Sequence, residues 1–408
     1  MNQRIFAAAV AAFLLLEATV SAADWPQFRG PARDGQSPET GLLKSWPADG
    51  PKLLWTATGC GQGYSSPVIV GDTVYTLGDV EGKGCLITFT LDGKPGKTVP
   101  VCKANSGEFA GPHSTPTVEG GMVYCFGPQG DLEGLNAKTL EKVWAVNVCE
   151  KFQGKVPGWR YSESPLVDGD HVICSPGGPD AALVALNRKT GETVWTSKGL
   201  SDPAAYASTV KMTVDKLPMI VAQTAKSLVG VNAATGAPLW HYKRPANGTA
   251  NAPSPVFSGN QVFEATGYGK GGGAVDLTVS GGAVTATQAW ETKDMDCHHG
   301  GYVLVNGHLY GNNGGGWTCL DFKTGETKWK AGGVGKGCVI YADGMLYTQG
   351  ESSHEIGLVK AAPDAFTLVS KFKLPSAEKT SLWAHPAIAN GRLYIRYGDS
   401  LYCYDIKQ

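Results

Sequence analysis

Histidine, aromatic, cationic and amide side chains recur along the chain in short segments that are otherwise rich in glycine, serine and proline. The candidate ligand-binding residues are Tyr64, His113, Trp159, Arg160, Tyr161, Glu163, Asn251, His298, His299, Lys336, Trp383 and His385. They supply hydrogen-bond donors, cations and aromatic faces, which suit an anionic or sugar-like small ligand in a concave site. We predict a ligand-binding role for this set and assign no catalytic residue.

The histidines raise the question of a metal site. His298 and His299 follow Cys297, while His113 and His385 belong to other segments. Imidazole and thiolate groups are ligands for zinc and copper. Adjacent residues in an extended chain point in opposite directions, so at most one of the paired histidines would face a given centre. We therefore predict a structural or general ligand-binding role for them and no metal site.

Other catalytic patterns are weak. The glycine-rich residues 267–273 lack the GxxxxGK[ST] spacing and a following helix, so they indicate a hairpin tip and not a phosphate loop. GxSxG, HExxH and dinucleotide-binding motifs do not occur in the sequence. Glu163 could act as a base, but we favour an ion pair with the neighbouring Arg160 that stabilises a loop.

A repeat must position these segments. Residues 187–195 form a strand-like unit with a Thr-Gly pair and a final tryptophan, and residues 136–144, 232–240 and 321–329 fit the same template. A second unit alternates with it: Ser-x-Pro, an apolar run, a Gly or Asp turn and a second apolar step. Each period therefore contains four short strands, which is the composition of one blade of a β-propeller.

The blade count is eight from either unit. The predicted final strands are anchored by Trp55, Val99, Trp144, Trp195, Trp240, Trp290, Trp329 and Phe372. The predicted first strands begin near Pro67, Pro116, Pro165, Val210, Pro255, Tyr302, Val339 and Pro386. We predict that each tryptophan fills the wedge between neighbouring blades.

The two series are out of step, because Trp55 precedes the first start and no tryptophan strand follows the last one. The two series agree if the blades form a closed ring. In such a ring, residues 52–55 supply the last strand of the blade that begins at Pro386 and continues to residues 401–404. Closure of this kind removes free sheet edges. The predicted fold is thus an all-β, eight-bladed propeller of four-stranded antiparallel blades, closed by the N-terminal strand.

This fold would bring the polar segments together. Aligned on the first strands, one residue of each segment occupies the same position, three residues before the strand: Tyr64, His113, Ser162, His299, Lys336 and Trp383. In a propeller, the connections between blades meet around the central channel on one face, and loops commonly carry function. We expect these residues to surround one opening.

The N-terminus and composition indicate where the protein works. Arg4, an apolar run over residues 5–16 and small residues up to Ala22 form the pattern of a cleavable export signal, too short to span a bilayer. No cysteine directly follows the predicted cleavage site, so we expect a periplasmic or extracellular protein that is not a lipoprotein. The predicted organisation is a signal peptide over 1–22, a lead-in over 23–50 and the propeller over 51–408.

Composition limits the partners. The 408 residues contain 55 Gly, 24 Pro and 17% charged residues, with a net charge of −1, which gives no electrostatic reason to expect a nucleic-acid partner. We expect a monomer without a membrane span. Half of the ten cysteines lie in strand-like runs as buried thiols. Any disulfide should involve the five in or near loops, namely Cys60, Cys102, Cys149, Cys297 and Cys338.

The repeat resembles a known family. Residues 187–195 and 321–329 resemble the PQQ-like (pyrroloquinoline quinone) propeller repeat, and the resemblance covers the chain from Leu53 onward. The opening residues 24–31, Asp-Trp-Pro-Gln-Phe-Arg-Gly-Pro, also resemble the lead-in of exported BamB-like repeat proteins of bacteria. This superfamily includes quinoprotein alcohol dehydrogenases and the barrel-assembly lipoprotein BamB, so the resemblance implies a fold and leaves the activity open.

The chain departs from both named activities. The dehydrogenases would imply a quinone stacked on a disulfide between adjacent cysteines, a Ca²⁺ ion and an aspartate base, but no two cysteines here are adjacent and no motif assigns the other groups. The lipid-anchor cysteine of BamB is also missing. We therefore predict a binding or scaffolding module of the cell envelope, with an envelope protein or a small ligand as partner. The alternatives are a dehydrogenase using PQQ and Ca²⁺, or an enzyme acting on a polysaccharide.

Overall fold

The computed structural model of the protein describes residues 24–243, 246–375 and 380–408. Over these residues the chain forms eight antiparallel four-stranded sheets, and the inner strands of neighbouring sheets contact one another around a ring. The predicted all-β, eight-bladed propeller is confirmed. The predicted signal peptide, residues 1–22, lies outside the described residues.

Blades 1 to 4 each contain four strands in chain order, running from the channel to the rim. Blade 1 consists of Val68–Val70, Thr73–Val80, Lys83–Thr90 and Pro95–Lys103. Blade 2 consists of Thr117–Glu119, Met122–Phe126, Asp131–Asn136 and Lys142–Asn147. Blade 3 consists of Leu166–Asp168, His171–Cys174, Val184–Asn187 and Thr193–Thr196, and blade 4 of Val210–Val214, Leu217–Gln223, Leu228–Asn232 and Pro238–Tyr242.

Blades 5 to 8 repeat this order, with the rim strand of blade 8 supplied by the N-terminus. Blade 5 consists of Val256–Ser258, Gln261–Thr266, Gly271–Ser280 and Ala283–Thr292, and blade 6 of Tyr302–Val305, His308–Asn313, Gly316–Asp321 and Thr327–Ala331. Blade 7 consists of Gly337–Ala342, Met345–Gly350, Glu355–Lys360 and Leu368–Lys373, and blade 8 of Ala387–Ala389, Arg392–Tyr397, Ser400–Asp405 and Lys52–Thr58. A helical turn, Val148–Lys151, follows blade 2.

The ring closes where the sequence predicts it. Strand Lys52–Thr58 pairs antiparallel with Ser400–Asp405, and Trp55 lies opposite Cys403. All eight predicted anchor residues lie in the rim strands of their blades. The predicted closure and the predicted blade boundaries are therefore confirmed.

Tryptophans fix blade to blade at most junctions, although the anchor residues of blades 1 and 7 are Val99 and Phe372. The Trp195 side chain of blade 3 is 6% exposed, and its Nε1 donates to the carbonyl of Ala233 in blade 4 at 3.2 Å. Its ring lies against the turn glycine Gly236, which has a φ of +73° and where a Cβ atom would come within 2.4 Å of the ring. Only glycine fits this turn without strain. Burying such a ring contributes on the order of 4–6 kcal/mol as an upper value.

The same contact recurs at other junctions, with one exception. Trp144 donates to the carbonyl of Arg188, and Trp290 donates to the carbonyl of Phe322. Trp240 instead donates to the sulfur of Met219 within its own blade at 3.3 Å. The two outer strands of blade 5 have ten residues each and are joined by a Gly281-Gly282 turn in place of the Thr-Gly turn. Trp240 therefore lacks the short hairpin that the other tryptophans contact.

The lead-in fills the centre of the ring. Trp25 bridges to Ile69 of blade 1, and the carbonyl of Pro26 accepts from Val118 of blade 2 at 2.8 Å. Strand Gln36–Ser37 runs parallel to the inner strand of blade 7. The Glu39 carboxylate accepts from Gly391 of blade 8 at 2.7 Å. Residues 25–39 therefore pack along the inner strands and their turns, whereas Trp46 reaches Ser370 in the outermost strand of blade 7.

Two buried arginines hold this lead-in in place. Arg33 donates to the carbonyls of Ser164 and Thr209, at the entries to blades 3 and 4. Arg29 donates to the carbonyl of Tyr302 in blade 6. Burial lowers the pKa of Arg33 to about 10, so the guanidinium stays charged at neutral pH. Backbone carbonyls thus solvate both cations in place of water.

All ten cysteines lie in the described residues and are free thiols. Cys102 and Cys338, which we expected in or near loops, lie within strands Pro95–Lys103 and Gly337–Ala342. In the described part of the chain, no helix has the length and apolar character needed to cross a bilayer.

Candidate functional site

The segments that enter seven of the eight blades, all except blade 7, converge on one pocket at the channel mouth. Its volume is about 380 Å³, within the range of small-molecule sites. The side chain of Phe28, from the lead-in, lines it from the channel side. The candidate residues that line it are Tyr64, His113, Trp159, His298, His299, Trp383 and His385, together with Ser162.

A continuous band of rings forms the pocket wall, and we call it the aromatic band. Its members, each with the next at a ring-centroid separation of 4.5 to 5.2 Å, are Tyr268, His298, His299, Trp383, Tyr64 and His113. Phe109 packs on Trp383 at 4.9 Å. The band offers ring faces and edges for stacking, and it is apolar apart from the ring nitrogens and hydroxyls.

Trp383 is held by a carboxylate behind it. Its Nε1 donates to Glu351 Oε2 at 3.0 Å, while Lys336 Nζ lies 2.6 Å from Oε1. His299 Nε2 lies 3.2 Å from Oε2. Burial raises the pKa of the Glu351 carboxyl, but its interactions with His299 and Lys336 outweigh burial and lower the pKa to about 2. Lys336, expected on the opening, thus lies behind the wall in an ion pair.

The pocket histidines are uncharged at neutral pH. Burial, together with His299 and Lys336, lowers the pKa of His298 to about 4. Burial, together with nearby Arg29, lowers the pKa of His385 to about 3. Burial also lowers the pKa of His113 and of His299. These imidazoles can therefore donate or accept hydrogen bonds without carrying charge.

The remaining candidates do not line the pocket. Tyr161 is buried and donates to the carbonyl of Pro176 at 2.8 Å. The side-chain amide of Asn251 accepts from the backbone N–H of Asn247 and donates to the carbonyl of the same residue. Arg160 has a φ of +68° and donates to Asn105 Oδ1 at 3.3 Å. These three side chains thus make hydrogen bonds to the protein, and none of the three residues lines the pocket.

Glu163 is also directed away from the pocket. Its carboxylate accepts from the backbone N–H of Ser175 at 2.7 Å, and burial raises its pKa to about 7. The nearby Arg33 partly opposes that rise. Among the described residues no ion pair joins Glu163 to Arg160, so the expected loop-stabilising pair is wrong.

Sequence reasoning missed four aromatic residues of the pocket as candidates. Phe28 belongs to the lead-in, which has no place in the repeat, while Phe109 and Tyr206 lie in connecting segments. Tyr268 lies in the glycine-rich stretch, whose hairpin tip between Gln261–Thr266 and Gly271–Ser280 is confirmed. Its hydroxyl lies 2.9 Å from His298 Nε2. The repeat pattern could have pointed to Phe109 and Tyr206, because both lie in connections between blades.

The paired histidines are arranged differently from our expectation. The rings of His298 and His299 lie side by side, with centroids 4.5 Å apart, and not on opposite sides of the chain. They lie outside any strand and are followed by Gly300 and Gly301, the latter with a φ of +70°. Because the chain is not extended here, the alternation that we assumed does not apply.

Comparison with known proteins gives the family. Residues 103–331, more than half of the chain, match the family described as outer membrane protein assembly factor BamB. A BamB of Burkholderia pseudomallei (strain K96243) is 28% identical over 216 residues, which are 51% of this chain and 50% of that protein. The quinoprotein alcohol dehydrogenase PedH of Pseudomonas putida is 26% identical over 197 residues, 47% of this chain and 31% of that protein. The matches thus span half or less of these relatives.

Solved structures agree on the fold. BamB from Moraxella catarrhalis superposes with a TM-score of 0.61 at 13% identity, covering 87% of this chain and 98% of that one. Quinohemoprotein alcohol dehydrogenase from Comamonas testosteroni gives a TM-score of 0.64 at 13% identity, covering 94% and 80%. The extent of the family match, carried by the repeats that build the blades, leads to one conclusion: the chain belongs to the BamB-like family of PQQ-like repeat propellers.

Proposed function

We propose that the protein is an exported binding module of the cell envelope that holds a neutral, sugar-like ligand in the channel-mouth pocket. The observation that carries this proposal is the aromatic band, which surrounds a pocket of about 380 Å³ and contains uncharged imidazoles. Sugar rings present apolar C–H faces that stack on aromatic rings, while their hydroxyls need neutral donors and acceptors.

The charge around the pocket favours a neutral ligand over an anionic one. Among the described pocket-lining residues there is no lysine or arginine, and Glu108 supplies an exposed carboxylate. Lys336, one of the two cations that we predicted, is 2.6 Å from Glu351. An anionic ligand would therefore have to enter without a free cation to bind it.

The quinone of the dehydrogenase relatives does not fit this site. Pyrroloquinoline quinone carries three carboxylates and would need several cations, yet the described lining residues supply none. The cysteines are all separate thiols, so they form no disulfide platform for a quinone. We therefore derive no redox step for this chain.

Glycan cleavage also receives little support. Hydrolysis of glycosidic bonds usually requires two carboxyl groups on either side of the bond, one of them protonated. The described pocket residues include one carboxylate, Glu108, and Glu351 behind the wall has a pKa of about 2. This arrangement favours binding without bond cleavage.

An envelope location agrees with the family and with the predicted signal over residues 1–22. A relative named outer membrane protein assembly factor suggests a second candidate, a scaffold that binds an envelope protein at the same face. Trp159 lines the pocket and is 37% exposed, so its ring is accessible to a sugar-like ligand or to an envelope protein. The two candidates differ in whether the pocket itself is occupied.

A glycan array followed by calorimetry tests the proposal. We expect the protein, in a chelating buffer, to bind a subset of neutral glycans, and Trp383→Ala and Tyr64→Ala to weaken that binding at least tenfold, because each removes a stacking surface. His308→Ala, on blade 6 outside the pocket, is the matched control and should bind normally. Thermal melting will show that the variants fold.

Two results would contradict the proposal. One is the absence of glycan binding at millimolar concentration. The other is equal binding by Trp383→Ala, which would place the ligand elsewhere. A stable protein partner that co-purifies from envelope extracts and still binds Trp383→Ala would favour the scaffold instead.

A further inference from the structure

Three ligating side chains meet in the wall of the channel-mouth pocket. His298 and His299 come from the connection between blades 5 and 6, and Glu351 directly follows the strand Met345–Gly350 of blade 7. One ligand atom from each residue can be chosen so that all three lie within 4.8 Å of one another. We call these residues the His-His-Glu cluster.

The cluster has outer contacts that orient its members. His298 Nε2 lies 2.9 Å from the Tyr268 hydroxyl, which leaves Nδ1 on the side of Lys336 and Glu351. Trp383 Nε1 donates to Glu351 Oε2 at 3.0 Å. Metal-binding histidines and carboxylates are commonly held by second partners in this way, since such contacts fix the ligand geometry.

A positive charge already lies against two members of the cluster. Lys336 Nζ lies 2.6 Å from Glu351 Oε1 and 3.3 Å from His298 Nδ1. The Lys336 side chain is 32% exposed, so it can move into solvent, whereas Glu351 is 11% exposed. The surroundings therefore stabilise a cation next to the Glu351 carboxylate and the His298 imidazole, and His299 Nε2 lies 3.2 Å from the same carboxylate.

We propose that the His-His-Glu cluster is a binding site for one divalent transition-metal ion of the zinc class, which takes the place of the Lys336 ammonium. Two imidazoles and one carboxylate match the ligand chemistry of Zn²⁺, Co²⁺ and Fe²⁺. Three protein ligands leave at least one coordination position open, on the side of the pocket. The inference does not depend on the proposed sugar-like ligand.

The other two pocket histidines have hydrogen-bond partners of their own. Both ring nitrogens of His113 have partners, Ser162 Oγ and the carbonyl of Phe109. His385 Nε2 lies 3.2 Å from the carbonyl of His299.

Cobalt binding tests the site directly. Untagged full-length protein is treated with a chelator, and Co²⁺ is then titrated while the visible d–d absorption is recorded. We expect one equivalent to bind, Zn²⁺ to displace it, and the signal to be lost in His298→Ala and in Glu351→Gln. His308→Ala is the matched control and should bind Co²⁺ like the wild type, and melting curves will show that all variants fold.

Lys336→Met tests the displacement of the ammonium. Because this change removes the competing cation, we expect Co²⁺ to bind at least tenfold more tightly than to the wild type. Equal or weaker binding would overturn the proposed exchange.

Three results would overturn the metal site. They are the absence of a visible band in the wild type, a band that persists in both His298→Ala and Glu351→Gln, and thiolate charge-transfer absorption, which would place the ion on cysteine. None of these outcomes bears on glycan binding, which is measured under chelation.

Discussion

Burial shifts the pKa values of the titratable residues near the pocket and so determines which of them carry a charge. The four pocket histidines have depressed pKa values and act as neutral hydrogen-bonding groups, although the residue type alone also allows a charged role. Glu163 shows the opposite case for a carboxyl group, since burial raises its pKa to about 7. The same physical effect therefore removes charge from both kinds of side chain.

Glu163 makes stability depend on pH. Its pKa of about 7 exceeds the ordinary 4.5, so the folded state binds more protons than the unfolded state between these values. Stability therefore falls as pH rises from 4.5 to 7, by on the order of 3 kcal/mol from this group. Glu163→Gln cannot ionise and keeps an oxygen for the Ser175 N–H. We expect its advantage over wild type to grow across this window.

Denaturant unfolding of both proteins at pH 4.5 and 7.5 measures this difference. A Glu163→Gln protein whose stability relative to wild type is the same at both pH values would contradict the raised pKa. Comparing the two proteins at each pH removes the contribution of the other titrating groups.

At the residue scale the sequence located the loops but not the direction of each side chain. The position of Arg160, Tyr161 and Glu163 in the repeat correctly places their segment at the channel mouth. Arg160 has a positive φ, and Tyr161 and Glu163 bond to Pro176 and Ser175, which follow the second strand of blade 3. Such contacts depend on neighbours distant from the repeat unit, so the period alone could not predict them.

The rim hairpin is the element that holds the blades together. The tryptophan of one blade packs on the turn glycine of the next, and its indole nitrogen donates to a backbone carbonyl beside that turn, as Trp195 does with Gly236 and Ala233. A single residue thereby contributes apolar burial and a directional bond to one junction.

Trp195→Ala should lower the free energy of unfolding by roughly 3–5 kcal/mol, because it leaves a cavity between blades 3 and 4. Chemical denaturation measures this loss, and glycan binding by the folded variant should remain. Val194→Ala, a neighbour on the same strand that is 44% exposed, is the control and should change stability by less than about 0.5 kcal/mol. Equal stability of the two variants would contradict the role of the wedge.

At the element scale the sequence predicts nearly everything, because the alternating strands, the turn glycines and the tryptophans all repeat. The exception is the junction after Trp240, where the long hairpin of blade 5 replaces the short turn. A longer hairpin of this kind changes the group that the Trp240 indole contacts but leaves the order of the strands unchanged. The repeat pattern therefore cannot predict it.

On the scale of the whole molecule, the lead-in joins the blades through the centre. Its backbone and the side chains of Arg29 and Arg33 contact blades 1 to 4 and 6 to 8. Phe28 of the same segment lines the pocket. The sequence could not predict this role, because residues 24–50 lie outside the repeat and bond mainly to backbone groups.

Removal of residues 24–38 should therefore affect both stability and binding. We expect a clearly lower melting temperature, because buried carbonyls lose their partners and the channel opens to water. We also expect loss of glycan binding, since Phe28 is gone. A truncated protein that melts and binds like the full chain would contradict a structural role for the lead-in.

A crystal structure of the protein with the tightest glycan found on the array would show where the ligand binds. We expect density for a sugar ring stacked on Trp383 inside the aromatic band, with hydroxyls within hydrogen-bond distance of the pocket histidines. Sugar density on the outer face of a blade, with the pocket holding only solvent, would contradict it.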